Sequence, residues 1–578
     1  MAAPMAQVGH MMCSKTLRCF RRFSSGKGVK RKIQKSSSKV QRPIDEIIQN
    51  ITSPRPVSFQ QMYHLRRQEA HRSILVQIPS KKHISSVYNQ VKPLGKVMNI
   101  FHFSHIRDYA LIELESRAAV QRVLRSASHF SNDEKIPVES RVLLLTGGFE
   151  SVGKQTIPLP VQSDPKEKFE ISDCYNATGL SHQIEILYHR NHLTDLGCRL
   201  RFFVCSKLED MLSGLFPHCA VLPFGSTVNG FGKHDCDLDM TLSLLQSEHQ
   251  VGKNPNLKFM TKKRTDNERG FTQRSLQTVA DIIEQFVPLC LGVHRILNAR
   301  VPIIKFRNDA CNIECDLSFS HISGHRMSEV LWVLSELDPR VAPLVFCVRH
   351  WARVNEVNRK HPGPWVSNFM LTALVVFFLQ SHPQPVIPKL RTLYHPVNPH
   401  DDFSAPFMSD YTKVPKTKNT DDLGELLKGF FAFYSSFDFQ SRGMSVIEGT
   451  TFSKPDFSPV YLENPLDVNL NVCKNINIPE FERLKKAFET ALWNLETNGE
   501  KKQRAWGLMS ILLPNGNGNN GKLHVHVGDL FSQRSESGNQ DGNQDGNVDD
   551  HQVDNQGGNQ DGNQDNVSDM RTKAEPSH

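Results

Sequence analysis

PFGSTVNGFGKHDCDLDMTL, residues 223–242, joins a Gly-Ser turn to two acids set in an apolar run. A strand ending at Phe224 meets Gly225-Ser226, a pair able to open a tight turn and present backbone N–H groups. Eleven residues beyond Ser226 stands Asp237, and one apolar residue later Asp239. Alternate side chains of a strand share a face, so the two carboxylates point the same way. Carboxylates held side by side repel unless a cation lies between them, and a hard divalent ion suits an all-oxygen site.

A third acid stands in a similar setting. In NIECDLSF (312–319) Asp316 has apolar neighbours and would be costly to bury unpaired. If its strand lies beside the first, three carboxylates converge. Such a set can hold two metal ions ~3.5–4 Å apart, which activate an attacking hydroxyl and stabilise a leaving pyrophosphate.

Gly-Ser, then D-x-D, then a later strand-borne acid resembles the nucleotidyltransferase superfamily of DNA polymerase beta type. VPIIKF (301–306), VRHWAR (348–353), SNF (367–369), LGELLKGFFAFYSSFDF (423–439) and NPLDVNLNV (464–472) are similar to the terminal adenylyl- and uridylyltransferases. The resemblance covers residues 181–513 and, more loosely, 73–146. It implies an α+β fold, with a mixed-sheet catalytic domain and a mostly helical poly(A) polymerase-associated domain. It also implies a template-independent enzyme that moves AMP from ATP to an RNA 3′ end with two Mg²⁺ or Mn²⁺ ions.

Residue by residue, the resemblance implies that Asp237 and Asp239 bind both metals, while Asp316 binds one and helps deprotonate the RNA 3′-OH. Gly225 and Ser226 would hold the β/γ-phosphates through backbone amides and the hydroxyl, with Phe224 beside them in the nucleotide site. Arg349 and Arg353, at i and i+4, stand where relatives usually carry lysines on the triphosphate; the alternative is an exposed basic helix face. Phe369 falls where many relatives stack a tyrosine on the base, the alternative being a core aromatic. Ser367, Asn368 and Asn471 would be further nucleotide contacts, and Lys305 is expected to contact RNA, the alternative being a solvated lysine at a strand end.

Departures from the family pattern carry information too. The run SFSHISGHRMS (318–328) replaces the Asn-Asn pair and later Asn that many relatives use on the ribose. Leu470 stands where uridylyltransferases often carry a histidine, which favours ATP over UTP. Two other readings share these residues: a terminal uridylyltransferase of the same fold, and a catalytically weak RNA-binding relative. The retention of all three acids argues against the second. A P-loop enzyme or protein kinase is argued against by the lack of G-x-x-x-x-G-K-[ST] and of an H-R-D loop.

The remaining sequence sets the organisation. Residues 1–43 hold eleven Lys/Arg and no acid, the composition of a mitochondrial transit peptide, so the expected location is the matrix. Residues 44–72 read as a partly helical lead-in. Residues 73–146 run strand, helix, strand, strand, helix, strand, the βαββαβ order of RNA-recognition-like domains. That module offers few stacking aromatics: ILVQIP has none, and YALIELE has only Tyr109, with Leu111 where a ring is expected. Packing or homodimerisation is its expected role.

A linker at 147–180 leads to the catalytic domain (181–320) and the helical domain (321–513). The Gly/Asn/Gln/Asp-rich tail at 514–578 has too little apolar surface to order itself. The apolar run FMLTALVVFFL (369–379) is too short to cross a bilayer and reads as a buried helix. Twelve cysteines without a C-x-x-C pair argue against zinc ribbons and thioredoxin-like chemistry and read as reduced, buried thiols.

Overall fold

The computed structural model describes residues 58–128, 139–146, 157–163, 169–216, 218–244, 267–320, 323–359, 361, 363–393, 414–498 and 506–513. The basic segment 1–43 and the tail 514–578 lie outside these residues.

Helix α1 (Phe59–His71) starts at a capping box in which Ser58 Oγ accepts from the Gln61 amide and the Gln61 side chain accepts from the Ser58 amide. It is followed by β1 (Ser73–Ile78), α2 (Ile84–Val91), β2 (Val97–Ser104), β3 (Asp108–Leu114), α3 (Arg117–Ser126) and β4 (Val142–Leu144). The strand order is β4-β1-β3-β2, to which β5 (Val161–Ser163) is added beside β2. Two details differ from the expected module. The stretch read as linker contributes a strand, and β4 lies parallel to β1 instead of antiparallel to it.

One face of this sheet is covered by α2 and α3 through Ile74, Val76, Ile100, Ile112, Val87 and Val123. The other face, which an RNA-recognition domain would offer to RNA, is also buried. Its Leu75, Phe101, Tyr109 and Leu111 share a core with Leu200, Phe203, Val204 and Leu208 of α5 (Asp195–Leu212), the helix that follows α4 (Leu180–Asn191). Both sides of helix α5 are covered, so its buried residues include Arg201, Ser206 and Lys207 beside the apolar ones.

The catalytic sheet has the order β6-β7-β10-β9-β8. Its strands are β6 (Cys219–Phe224), β7 (Leu238–Leu244), β8 (Cys290–Ile296), β9 (Ile303–Asn308) and β10 (Ile313–Phe319). Pairing is antiparallel except between β7 and β10, which run parallel. Strand β8 was not anticipated, since LCLGVHRI is interrupted by Gly292 at φ 63° and by a register shift between Leu291 and His294. Met240, Leu317 and Phe306 face α5 and α6 (Glu268–Phe286), so the opposite face, with Asp239 and Asp316, is left for chemistry.

Helices α7 (Ser323–Leu337), α8 (Val341–Val354), α9 (Asn368–Ser381), α10 (Leu423–Ser436) and α11 (Ile478–Thr497) contribute to a second core with α4. The apolar run at 369–379 lies inside α9, with Leu371 to Leu379 buried. No described helix is long and apolar enough to cross a membrane. The ten described cysteines are free thiols; Cys311 precedes β10, so it does not share a strand face with Cys315.

Candidate active site

Strand register brings the acids together. Across the catalytic sheet, Phe224, Asp239, Asp316, Lys305 and His294 are successive cross-strand partners in one row. Asp237 stands two residues before Asp239, just ahead of β7, and is exposed where Asp239 is half-buried. The Asp239 carboxyl is pushed up to about 7, first by burial and then by the charges of Asp316 and Asp237, against a smaller pull from Lys305. The three carboxylates therefore sense one another.

Lys305 Nζ lies 2.5 Å from Asp316 Oδ2. This is the role the structure shows for the residue expected on RNA: it supplies the positive charge that faces the third acid. Among the described residues, no three His, Cys, Asp or Glu side chains already stand as a closed metal cage. The donor set still fits a divalent cation, because a carboxyl raised by burial and then by two acidic neighbours, with Lys305 only partly offsetting them, gains from added positive charge.

Above the acids sits the turn. Gly225 adopts φ 68°, open to glycine at little cost, and a Cβ there would lie 2.6 Å from Asp239 Oδ2. Both constraints require glycine. Residues Gly225–Thr227 form a single 3₁₀ turn after the extended Phe224. The first amides of such a turn have no partner within it and suit an anion. One of them is taken here: the Gly225 N–H donates to Ser328 Oγ at 2.7 Å. The amide expected from the sequence to meet a phosphate makes an internal hydrogen bond here, beside the Ser226 amide and hydroxyl.

Two family models match, one for the central palm domain of mitochondrial-like poly(A) RNA polymerases over residues 180–336 and one for Cid1 family poly(A) polymerases over residues 422–471. The mitochondrial poly(A) RNA polymerase of Drosophila melanogaster is 35% identical over 471 residues, covering 77% of this chain and 76% of that protein. The chain belongs to the mitochondrial poly(A) RNA polymerase family. The Homo sapiens member is 32% identical over 475 residues, covering 79% and 81% of the two chains. A crystal structure of mtPAP with ATPγS superposes with a TM-score of 0.72 at 33% identity, covering 79% of this chain and all of that one. Like its relatives, the protein is a mitochondrial enzyme, an RNA adenylyltransferase on a nucleotidyltransferase fold that uses a nucleotide and divalent metal.

The remaining expected residues divide. Ser367 caps α9 by accepting from the Met370 amide, and it lines a cleft of about 280 Å³ with Asn368, Asn358, Trp365, Val472 and Asn475. Phe369 is half-buried and packs on the helical core, the alternative raised for it from sequence.

Arg349 does not stand free. Its Nη1 donates to the Phe231 carbonyl at 3.0 Å and its Nε to the Asn368 carbonyl at 3.2 Å, and burial draws its guanidinium down to about 10. It bridges the loop after the turn to the start of α9. Arg353 is exposed and donates to the Asn358 carbonyl at 3.3 Å, so the i, i+4 pair divides between a clamp and a helix-end contact.

Asn471 is spent on folding. Its Oδ1 accepts from the Leu462 and Cys473 amides, and its Nδ2 donates to Ser458 Oγ and the Val460 carbonyl. These four bonds brace the hairpin β13–β14 (Glu463–Asn464 and Asp467–Asn471), which follows β11 (Arg442–Ser445) and β12 (Thr450–Ser453). Base contact by its side chain would break that bracing.

Sequence reasoning missed three supports. Tyr63 of α1 donates to the Pro223 carbonyl at 3.0 Å, so the lead-in buttresses the strand that feeds the turn. Ser328 holds the turn itself, and Lys305 faces Asp316. Only the Gly324/Ser328 spacing, two small residues at i and i+4, left a trace in the sequence. The larger of the two cavities, about 670 Å³ at the starts of α4 and α10, shares no residue with the acids.

Proposed function

We propose that Asp237, Asp239 and Asp316 form the centre at which AMP is transferred from ATP to the 3′ end of a mitochondrial transcript. The observation that carries this is the in-register pairing of Asp239 with Asp316 beneath Gly225, with Asp237 just ahead of the strand and its charge felt at Asp239. Two bound ions, Mg²⁺ or Mn²⁺, would be held by these carboxylates and would neutralise charge on the triphosphate. Asp316 accepts the proton of the RNA 3′-OH. The 3′ oxygen then bonds to the α-phosphorus as the bond to the bridging oxygen breaks, and pyrophosphate leaves.

Ser226 contacts the β/γ-phosphates through its amide and hydroxyl. Lys305, whose side chain is 45% exposed, is placed to meet the RNA backbone beside Asp316. Leu470, exposed on β14, stands at the base end and favours adenine. A uridylate-adding reading is kept open by a related crystal structure, that of mtPAP with UTP. For self-association we assign the N-terminal module: with one sheet face sealed against α5, its edge strand β4 still presents Leu144 at 59% exposure.

The test is extension of an RNA oligonucleotide by each nucleotide separately. Asp237→Ala and Asp239→Ala abolish extension while leaving the fold intact, and Leu470→His raises use of UTP. Undiminished extension by the purified double variant sinks the assignment.

A further inference from the structure

The loop that follows β6 is shaped by one helix. Phe224 lies on Gly324, where a Cβ would come within 2.7 Å of the ring. Gly225 donates its N–H to Ser328 Oγ at 2.7 Å. Gly230, at φ 81°, packs so closely on Ser335 that a side chain there would collide with its hydroxyl. Residues 324, 328 and 335 lie at i, i+4 and i+11, along one face of α7. The helix follows β10, so the stretch that carries Asp316 also carries the template for the turn.

We infer that Ser328 is a positioning residue for nucleotide binding: its hydroxyl sets the turn so that Ser226 faces the triphosphate. Its geometry suits that task. Ser328 is 2% exposed, and its hydroxyl donates to the Gly324 carbonyl at 2.7 Å, which aims a lone pair at the Gly225 amide. The proton of the serine is committed to its own helix, so the hydroxyl can only accept from the turn. Gly225 in turn abuts Asp239, which couples the height of the turn to the position of the carboxylate. Without the hydroxyl, the Gly225 amide is left without its acceptor. Its cheapest recourse is rotation of the turn, which moves Ser226.

The inference rests on reading Ser226 as a triphosphate contact. Threonine and valine have nearly the same size and differ in the hydroxyl, so Ser328→Thr and Ser328→Val separate hydrogen bonding from packing. Ser328→Val raises the KM for ATP about tenfold, with kcat and the KM for RNA changed far less; Ser328→Thr stays near wild type. Thermal midpoints are recorded for each variant, and Ser328→Ala, which adds no bulk, replaces valine if that variant does not fold.

Equal behaviour of valine and threonine overturns the inference, as does a parallel rise in both KM values. Ser226→Ala is the companion measurement. If it leaves the KM for ATP unmoved, the phosphate-contact reading falls. If it raises that KM while Ser328→Val and Ser328→Ala do not, only the role of Ser328 falls.

Discussion

At Asp239 burial and two neighbouring acids act on a single carboxyl, and one lysine partly offsets them. Such a group weakens the metal-free fold, because its charge is disfavoured by desolvation and by repulsion. Asp239→Asn keeps the shape and removes the charge. It should abolish adenylate addition and yet stabilise the metal-free protein by roughly 1–2 kcal/mol, seen as a higher thermal midpoint. Divalent ions should raise the midpoint of the wild type and leave that of the variant nearly unmoved. A variant no more stable than wild type would show that the carboxylates do not repel in solution.

The acids themselves were legible at this scale, because Gly-Ser and D-x-D act through local turn and strand geometry. Arg349 and Asn471 were not. Their partners are backbone carbonyls and amides such as those of Phe231 and Leu462, and a carbonyl leaves no mark on sequence.

Among the elements, α4 carries a pH response. Burial and the charge of His192 pull His189 down to about 4, and its ring packs edge-on against Tyr188 and His192. An unfolded histidine titrates near ~6.5. Between pH 6.5 and 4 the unfolded chain takes up a proton that the folded chain refuses, so stability falls as pH drops through that window. His189→Phe keeps a ring and removes this term. Its thermal midpoint should fall less between pH 7 and pH 5 than that of the wild type; an identical fall would remove His189 as the cause.

At this scale the strand in NIECDLSF followed from its period-2 alternation, and the helix at 369–379 from an apolar run buried on every side. Strand β8 escaped because Gly292 and the adjacent register shift break the alternation.

For the whole molecule, the N-terminal sheet and the catalytic domain are pinned by buried charge. Arg199 on α5 reaches Glu69 of α1 and Glu113 of β3, and Glu113 is 1% exposed. Arg141, itself buried, donates to Asp210, Ser206 and the carbonyls of Ala70 and Ser73. Removing one partner from such a network leaves charge uncompensated, so Arg199→Ala should cost about 3 kcal/mol, measured by urea unfolding. The same variant should make the chain N-terminal to α4 more open to limited proteolysis. A loss under ~1 kcal/mol would place these pairs with weak surface bridges.

The sequence by itself carried the turn and the three acids, which are short-range patterns set by backbone geometry and by the repulsion of neighbouring carboxylates. RNA 3′-end adenylation was implied by the resemblance of its helical segments to the terminal adenylyltransferases. The tertiary structure alone decided that Asp239 faces Asp316 in register, that Lys305 pairs with that acid, and that the RNA-recognition-like face is sealed. It also decided that Ser328, 103 residues away, takes the amide of Gly225. Such choices depend on which surfaces meet once the cores close, and no local period in the chain encodes them.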